Sequence, residues 1–229
     1  MTEIRYVDLE GAAPDEAVVV IDVLRAFTFE PWCFHRGANR LLAVDTRQGA
    51  VDLRDTHLPG ALLAGEEDGR PIDGFDLGNS PAEVADRDLS GATVIHRTSA
   101  GTQGLARTAG SGVVLAASFV TAAATAARLR ALAPVRVTFV ITGASLGRDG
   151  DEDLAAAELI AARVQGLDPD QTPFVDRVAT SDAGRLFTPE GPAWAPDADL
   201  PLAVEVDRFD HTLLATPAPD LGAIEITRA

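Results

Sequence analysis

The 229-residue sequence predicts an α/β protein with a largely parallel or mixed central sheet flanked by helices. Three observations predict it. Apolar β-branched runs alternate with alanine-rich segments whose apolar residues recur at helical spacing. The alternation is that of βαβ units, which bury a parallel sheet under helices. Polar and glycine-rich stretches follow the strands, where such sheets bind ligands. No linker is long enough to demand separate domains, so residues 1–229 read as one domain or two closely packed lobes.

Taken in order, AVVVIDV (17–23) reads as a buried strand and FEPWCFHRGA (29–38) as a helix after it. LLAV (41–44) and ALLAG (61–65) are short strands. ATVIH (92–96) is another, followed by a helix over GTQGLARTA that Gly110 ends. VVLAA (113–117) leads into AAATAARLRAL, a helix of high intrinsic propensity. VRVTFVIT (135–142) is the clearest strand. DEDLAAAELIAARVQG is the clearest helix, with an acidic first turn and Gly166 as its stop. Beyond it PFVDRVATSDAGRLF is compatible with helix, TPEGPAWAPDADLP reads as loop, and LAVEV and AIEI read as edge or capping strands.

Composition narrows the function classes. There are 35 acidic and 19 basic residues, a formal charge of −16, and every basic residue is arginine. Without lysine there is no Schiff-base chemistry and no P-loop. The charge repels nucleic acids and anionic membranes, so neither is an expected partner. No apolar run reaches the roughly 18–20 residues that span a bilayer. The amino terminus lacks the apolar core of a secretory signal, and the single Cys33 fits a reducing compartment, so the expected location is cytoplasmic. A homo-oligomer is left open.

Four stretches at strand ends carry the candidate chemistry: DVLRAFT, GEEDGRPIDGFDLGNSP, RTSAGT and GASLGRDGDED. Asp22 ends an apolar strand, and a buried carboxylate needs a partner or a metal; Arg25 is the nearest cation. Asp151, Glu152 and Asp153 either complement a helix dipole or serve a site. Glu66 to Asp68 read equally as a solvated turn. Ser99, Gly101 and Thr102 open a helix, which suits phosphate binding or capping by Ser99 or Thr98. GASLG matches the G-x-S-x-G nucleophile elbow, with Ser145 as its serine, Asp182, Asp197 or Asp199 as the acid and His211 as a base, although RDGDE separates it from the following helix. Cys33 lacks an arginine six residues on, as the cysteine-phosphatase loop requires. The four histidines show no metal-ligand spacing.

Together these segments resemble the 2-phosphosulfolactate phosphatase (ComB-like) family, in order over most of residues 18–165. VVVIDVLRAFTF resembles the family strand ending in I-D-V-L-R-A-T. AGEEDGRPIDGFDLGNSPAE resembles its G-E-R-G-G…G-F-D-x-G-N-S-P segment, HRTSAGTQGL its T-T-N-G-T stretch, and ITGASLGRDGDEDLAAAELI its A-G…E-D…A-G segment. The resemblance implies a Mg²⁺-dependent phosphatase that converts 2-phosphosulfolactate, a small anionic phosphomonoester, to sulfolactate and phosphate on a route to coenzyme M. By position it implies Asp22, Arg25, Asp76, Glu152 and Asp153 as catalytic, and Asp22, Glu66, Glu152 and Asp153 as metal ligands. Arg25, Asn79, Ser80, Gly101 and Thr102, with the Ser99 turn, would hold substrate. Glu67, Ala100 and Phe27 depart from the pattern, where the family has arginine, asparagine and threonine. These departures make a non-catalytic anion-binding protein the alternative, with a Ser145 hydrolase behind it.

Overall fold

The computed structural model describes residues 2–145 and 147–229. Ten strands form one mixed, mostly parallel sheet. In chain order they are β1 (Glu3–Asp8), β2 (Ala17–Ile21), β3 (Arg40–Ala43), β4 (Leu62–Glu67), β5 (Arg70–Pro71), β6 (Thr93–Arg97), β7 (Val113–Ala117), β8 (Arg136–Ile141), β9 (Leu213–Ala218) and β10 (Ala223–Arg228). The helices are α1 (Ala26–His35), α2 (Arg47–Thr56), α3 (Pro81–Ala85), α4 (Gly101–Thr108), α5 (Ala122–Leu132), α6 (Asp151–Val164), α7 (Thr172–Thr180) and α8 (Asp199–Ala203). None of them is long and apolar enough to cross a membrane.

The strand order is β1-β8-β2-β7-β9-β10-β3-β6-β4-β5. It contains two parallel groups, β1-β8-β2-β7 and β3-β6-β4, joined by the antiparallel β9-β10 hairpin. Because β7–β9 and β10–β3 are also antiparallel, the two groups run in opposite directions through the hydrogen-bonded ladder. Sheet twist resolves this. At about 20–25° per step, the six steps from β2 to β4 accumulate roughly 120–150° of rotation, so the carboxyl ends of the two groups converge.

The core follows from that curl. Along β2, side chains alternate between faces. Val19 and Ile21 pack with Phe139 and with Ala156, Leu159 and Ile160 of α6. Val18 and Val20 share a second core with Phe27, Phe29 and Cys33 of α1 and with Leu41, Ala43 and Val94 of the other strand group. α1 therefore lies between the two halves, and nine of its ten residues, all but His35, are buried. A helix enclosed on all sides has no polar face to display, which is why it lacks an amphipathic signature.

The helix expected over 29–38 begins at Ala26 and ends at His35. LAVEV is not a strand: its first two residues finish α8, and the chain then turns at Asp207, in the left-handed region at φ 61°. There the Asp207 and Phe209 amides donate to the Phe119 and Val120 carbonyls, so docking on that turn overrides the alternating pattern. AIEI is a strand, β10, but an interior one between β9 and β3. β1, α2, β5, α3 and β9 have no counterpart among the expected elements, and α8 begins inside the TPEGPAWAPDADLP stretch that reads as loop.

Candidate active site

The convergence places the ends of β2, β4 and β6 around one cavity of about 500 Å³, lined in part by Asp22, Arg25, Glu66, Ser99 and Arg148. Asp22 follows the all-buried AVVVI strand, so its carboxylate is delivered to the sheet edge with almost no exposure. Oδ1 accepts the Ala26 amide of α1 at 3.0 Å. Oδ2 faces Gly101, the first residue of α4, where a Cβ would lie 2.7 Å from that oxygen and 2.9 Å from Ala26 Cβ. Gly101→Ala is expected to displace the Asp22 carboxylate. The overpacking should cost about 1–3 kcal/mol, read as a lower urea midpoint.

Burial pushes the Asp22 carboxyl up from its ordinary range and the nearby Glu66 carboxylate adds to this; the Ala26 amide and Arg148 oppose it. Glu152, in the first turn of α6, is also raised, by burial first and then by Asp22. Its Oε2 is buried without a hydrogen-bond partner among the described residues. Two buried carboxylates that disfavour each other's charge are stabilised by a cation.

The other expected metal ligands are differently engaged. Asp153 Oδ1 accepts the Val23 amide at 2.7 Å, and Oδ2 accepts the Gly143 amide at 2.7 Å and the Thr142 hydroxyl at 3.1 Å. It ties α6 to the ends of β2 and β8. Its carboxyl is pushed well above the ordinary range by burial, then by Glu152 and Asp22. Glu66 accepts the Ser99 amide through Oε1 (2.6 Å) and the Gly69 amide through Oε2 (2.5 Å), pinning β4 to the turn before α4. Among the described residues no three of His, Cys, Asp and Glu form a ready-made metal cluster. Of the four expected ligands, Asp22 and Glu152 are the two not held by backbone amides through both carboxylate oxygens or through an amide and a hydroxyl, and Glu152 lies behind the residues that line the cavity. Mg²⁺ is typically held by one or two carboxylates, with water and substrate oxygens as its other ligands.

Arg25 follows a cis Leu24–Arg25 peptide bond. Its guanidinium donates to Asp199 Oδ2 at 2.8 Å in a buried ion pair and lies 5.3 Å from the Phe187 ring centroid. Asp199 also accepts the Ser80 hydroxyl (2.6 Å) and the Ala82 amide (3.0 Å) through Oδ1. The residue that aims Arg25 thus comes from the carboxy-terminal region, in a stretch that reads as loop. Ser80 caps α3 and serves this network.

Asn79 is buried, lines the cavity, and its Oδ1 has no partner among the described residues. Asp76 is exposed and braces the GFDLGNSP segment against β4 by accepting the Leu63 amide at 2.9 Å. Thr102 is spent on the turn: its hydroxyl donates to the Thr98 carbonyl, and its amide donates to Thr98 Oγ1. The Ser99 hydroxyl accepts the Asp68 amide, so the start of α4 at Ala100 has no side-chain cap. Ala100, where the family has asparagine, lines the cavity at the start of α4 and offers no side-chain cap.

Glu67 does not line the cavity; it pairs with Arg97 at 3.4 Å. Phe27 is fully buried and touches the Gly101 position. The Ser145 hydroxyl donates to the Thr142 carbonyl, and α6 starts only at Asp151. His211 packs on Phe209 and lies 3.7 Å from Asp210. Motif reading missed Arg148, whose signal was its place in the GASLGRDGDED stretch after β8, and considered Asp199 only as the acid of a Ser145 triad, whereas it pairs with Arg25 and Ser80.

The profile of the 2-phosphosulpholactate phosphatase family matches residues 5–187. A protein of Deinococcus radiodurans named "Probable 2-phosphosulfolactate phosphatase" is 41% identical over 168 residues, covering 72% of this chain and 68% of that protein. A Bacillus subtilis protein of the same name is 35% identical over 67% of this chain and 66% of its own length. One from Thermoplasma acidophilum is 32% identical over 86% of this chain and 83% of its own. The four motif segments, the converging strand ends and these matches agree: the chain belongs to the 2-phosphosulpholactate phosphatase family.

Proposed function

We propose that the protein is a Mg²⁺-dependent phosphatase acting on a small phosphomonoester, with 2-phosphosulfolactate, the compound its relatives are named for, as the reference against which other esters are compared. One observation carries the reading. A buried carboxylate, Asp22, faces a cavity that also receives the uncapped start of α4 and two arginines. Helix-terminal amides and guanidinium groups are suited to phosphate oxygens, and a carboxylate among them has chemistry to perform rather than anions to attract.

Asp22 and Glu152 would hold the metal, which when bound neutralises charge on the phosphoryl group. Arg25, aimed by Asp199 and Phe187, presents its remaining N–H groups to phosphoryl oxygens. The amides at the start of α4 address the same group, and Arg148 approaches from the loop after β8. Asp22 Oδ2 is the oxygen left for reaction, since Oδ1 is engaged by Ala26. In direct attack it forms the new P–O bond as the ester P–O bond breaks, and the electron pair leaves on the alcohol oxygen. In the alternative it takes a proton from the attacking water. Phosphoenzyme trapping separates the two.

The test is phosphate release from 2-phosphosulfolactate and a panel of phosphomonoesters, in Mg²⁺ and then in EDTA. Turnover that EDTA abolishes is expected. A folded protein that releases phosphate from none of them would overturn the proposal in favour of anion binding without catalysis.

A further inference from the structure

The cavity is chemically divided. Beside Asp22, Glu66, Ser99 and Arg148, its lining includes Leu24, Leu186, Phe187 and Trp194. Trp194 lies beyond the residues matched by the family profile. It also lines an adjoining cavity of about 360 Å³, together with Ile72, Phe75 and Pro196. Apolar side chains facing open volume gain by covering apolar ligand surface and gain nothing from a charged one.

The charge count points the same way. Asp22, Glu66 and Asp68 line the cavity, against Arg25 and Arg148. Arg25 is already neutralised by Asp199, and Arg97 behind the site is held by Glu67 and by the Glu66 carbonyl. Among the described residues, Arg148 is the lining cation without a carboxylate partner. A phosphate dianion with a divalent ion and Arg148 uses up that capacity. A sulfonate or second carboxylate would have no cation to meet and would face Asp68.

Resting on the phosphatase reading for where the phosphoryl group sits, we infer that the preferred substrate is a phosphomonoester of an uncharged alcohol with an apolar, ring-sized substituent. That substituent packs on Leu186, Phe187 and Trp194, and a multiply anionic hydroxy acid is disfavoured.

Calorimetric titration in Mg²⁺ with two non-hydrolysable probes tests this without requiring turnover. Benzylphosphonate carries the apolar group, and phosphonoacetate carries a second anion. The wild-type protein should bind benzylphosphonate at least about tenfold more tightly. Trp194→Ala should bring the ratio toward one. Leu186→Arg, which places a cation on the apolar wall, should invert it, and its retained binding of phosphonoacetate reports that the variant is folded. Equal or reversed affinities in the wild type, no binding of either probe, or a ratio that neither variant changes would overturn the inference. If the preference holds while no ester is hydrolysed, the phosphatase reading fails and the ligand class stands.

Discussion

Asp22→Asn is expected to lower phosphate release by on the order of 10³-fold or more while leaving the protein folded. Asparagine is isosteric, and its side-chain oxygen still accepts the Ala26 amide, so the start of α1 is retained. What disappears is the negative oxygen facing Gly101 and the cavity. The same substitution should raise thermal stability at pH 8. Because the folded-state pKa of Asp22 is raised by burial and by Glu66, the native protein holds a proton that the unfolded chain has released above the ordinary carboxylate value of about 4. The resulting cost is absent below that value, grows as pH rises through the raised pKa, and is complete above it. The gain in Tm from Asp22→Asn should therefore be largest at pH 8 and vanish near pH 4. A variant that loses activity and stability together would show that Asp22 is structural.

Asp199→Ala should have the largest effect on stability. It leaves the buried Arg25 guanidinium without its carboxylate and removes the acceptor for Ser80 and Ala82. Breaking a buried pair from one side costs about 3–5 kcal/mol, or roughly 6–20 °C in Tm for a chain of this size. Asp199→Asn keeps an acceptor for Ser80 and should cost less. Because Arg25 then loses its aim, the effect of Asp199→Asn should fall on KM for the phosphomonoester more than on folding. An Asp199→Ala protein with wild-type Tm and KM would remove Asp199 from the account.

The fold was legible where physics leaves few options. Five consecutive apolar residues followed by Asp22 admit little but an interior strand, and the α6 segment carries a dipole-matched start, an apolar face and a glycine stop. β1 was missed because it pairs only with β8 at the sheet edge and alternates among charged residues. The twist that brings β4 and β6 to β2 depends on the β9-β10 hairpin, a tertiary insertion that no local pattern reports.

The site was legible as a set of loops, less so as roles. Motif position grouped Asp22, Glu66, Glu152 and Asp153 as equals. Only the hydrogen bonds separate Asp153 and Glu66, engaged by backbone amides through both oxygens, from Asp22 and Glu152, which each keep an oxygen without a hydrogen-bond partner among the described residues. Asp199 was hidden in a proline-rich stretch because its partner lies 174 residues away.

The most direct test of the account is thermal denaturation across a Mg²⁺ titration, at pH 8 and pH 5, for the wild type and for Asp22→Asn/Glu152→Gln. Both carboxyls are raised, so protons compete with the metal at the lower pH. Mg²⁺ should raise the wild-type Tm strongly at pH 8 and less at pH 5, with no shift in the double variant at either pH. A wild-type Tm indifferent to Mg²⁺ at pH 8, or a double variant stabilised as much as the wild type, would contradict it.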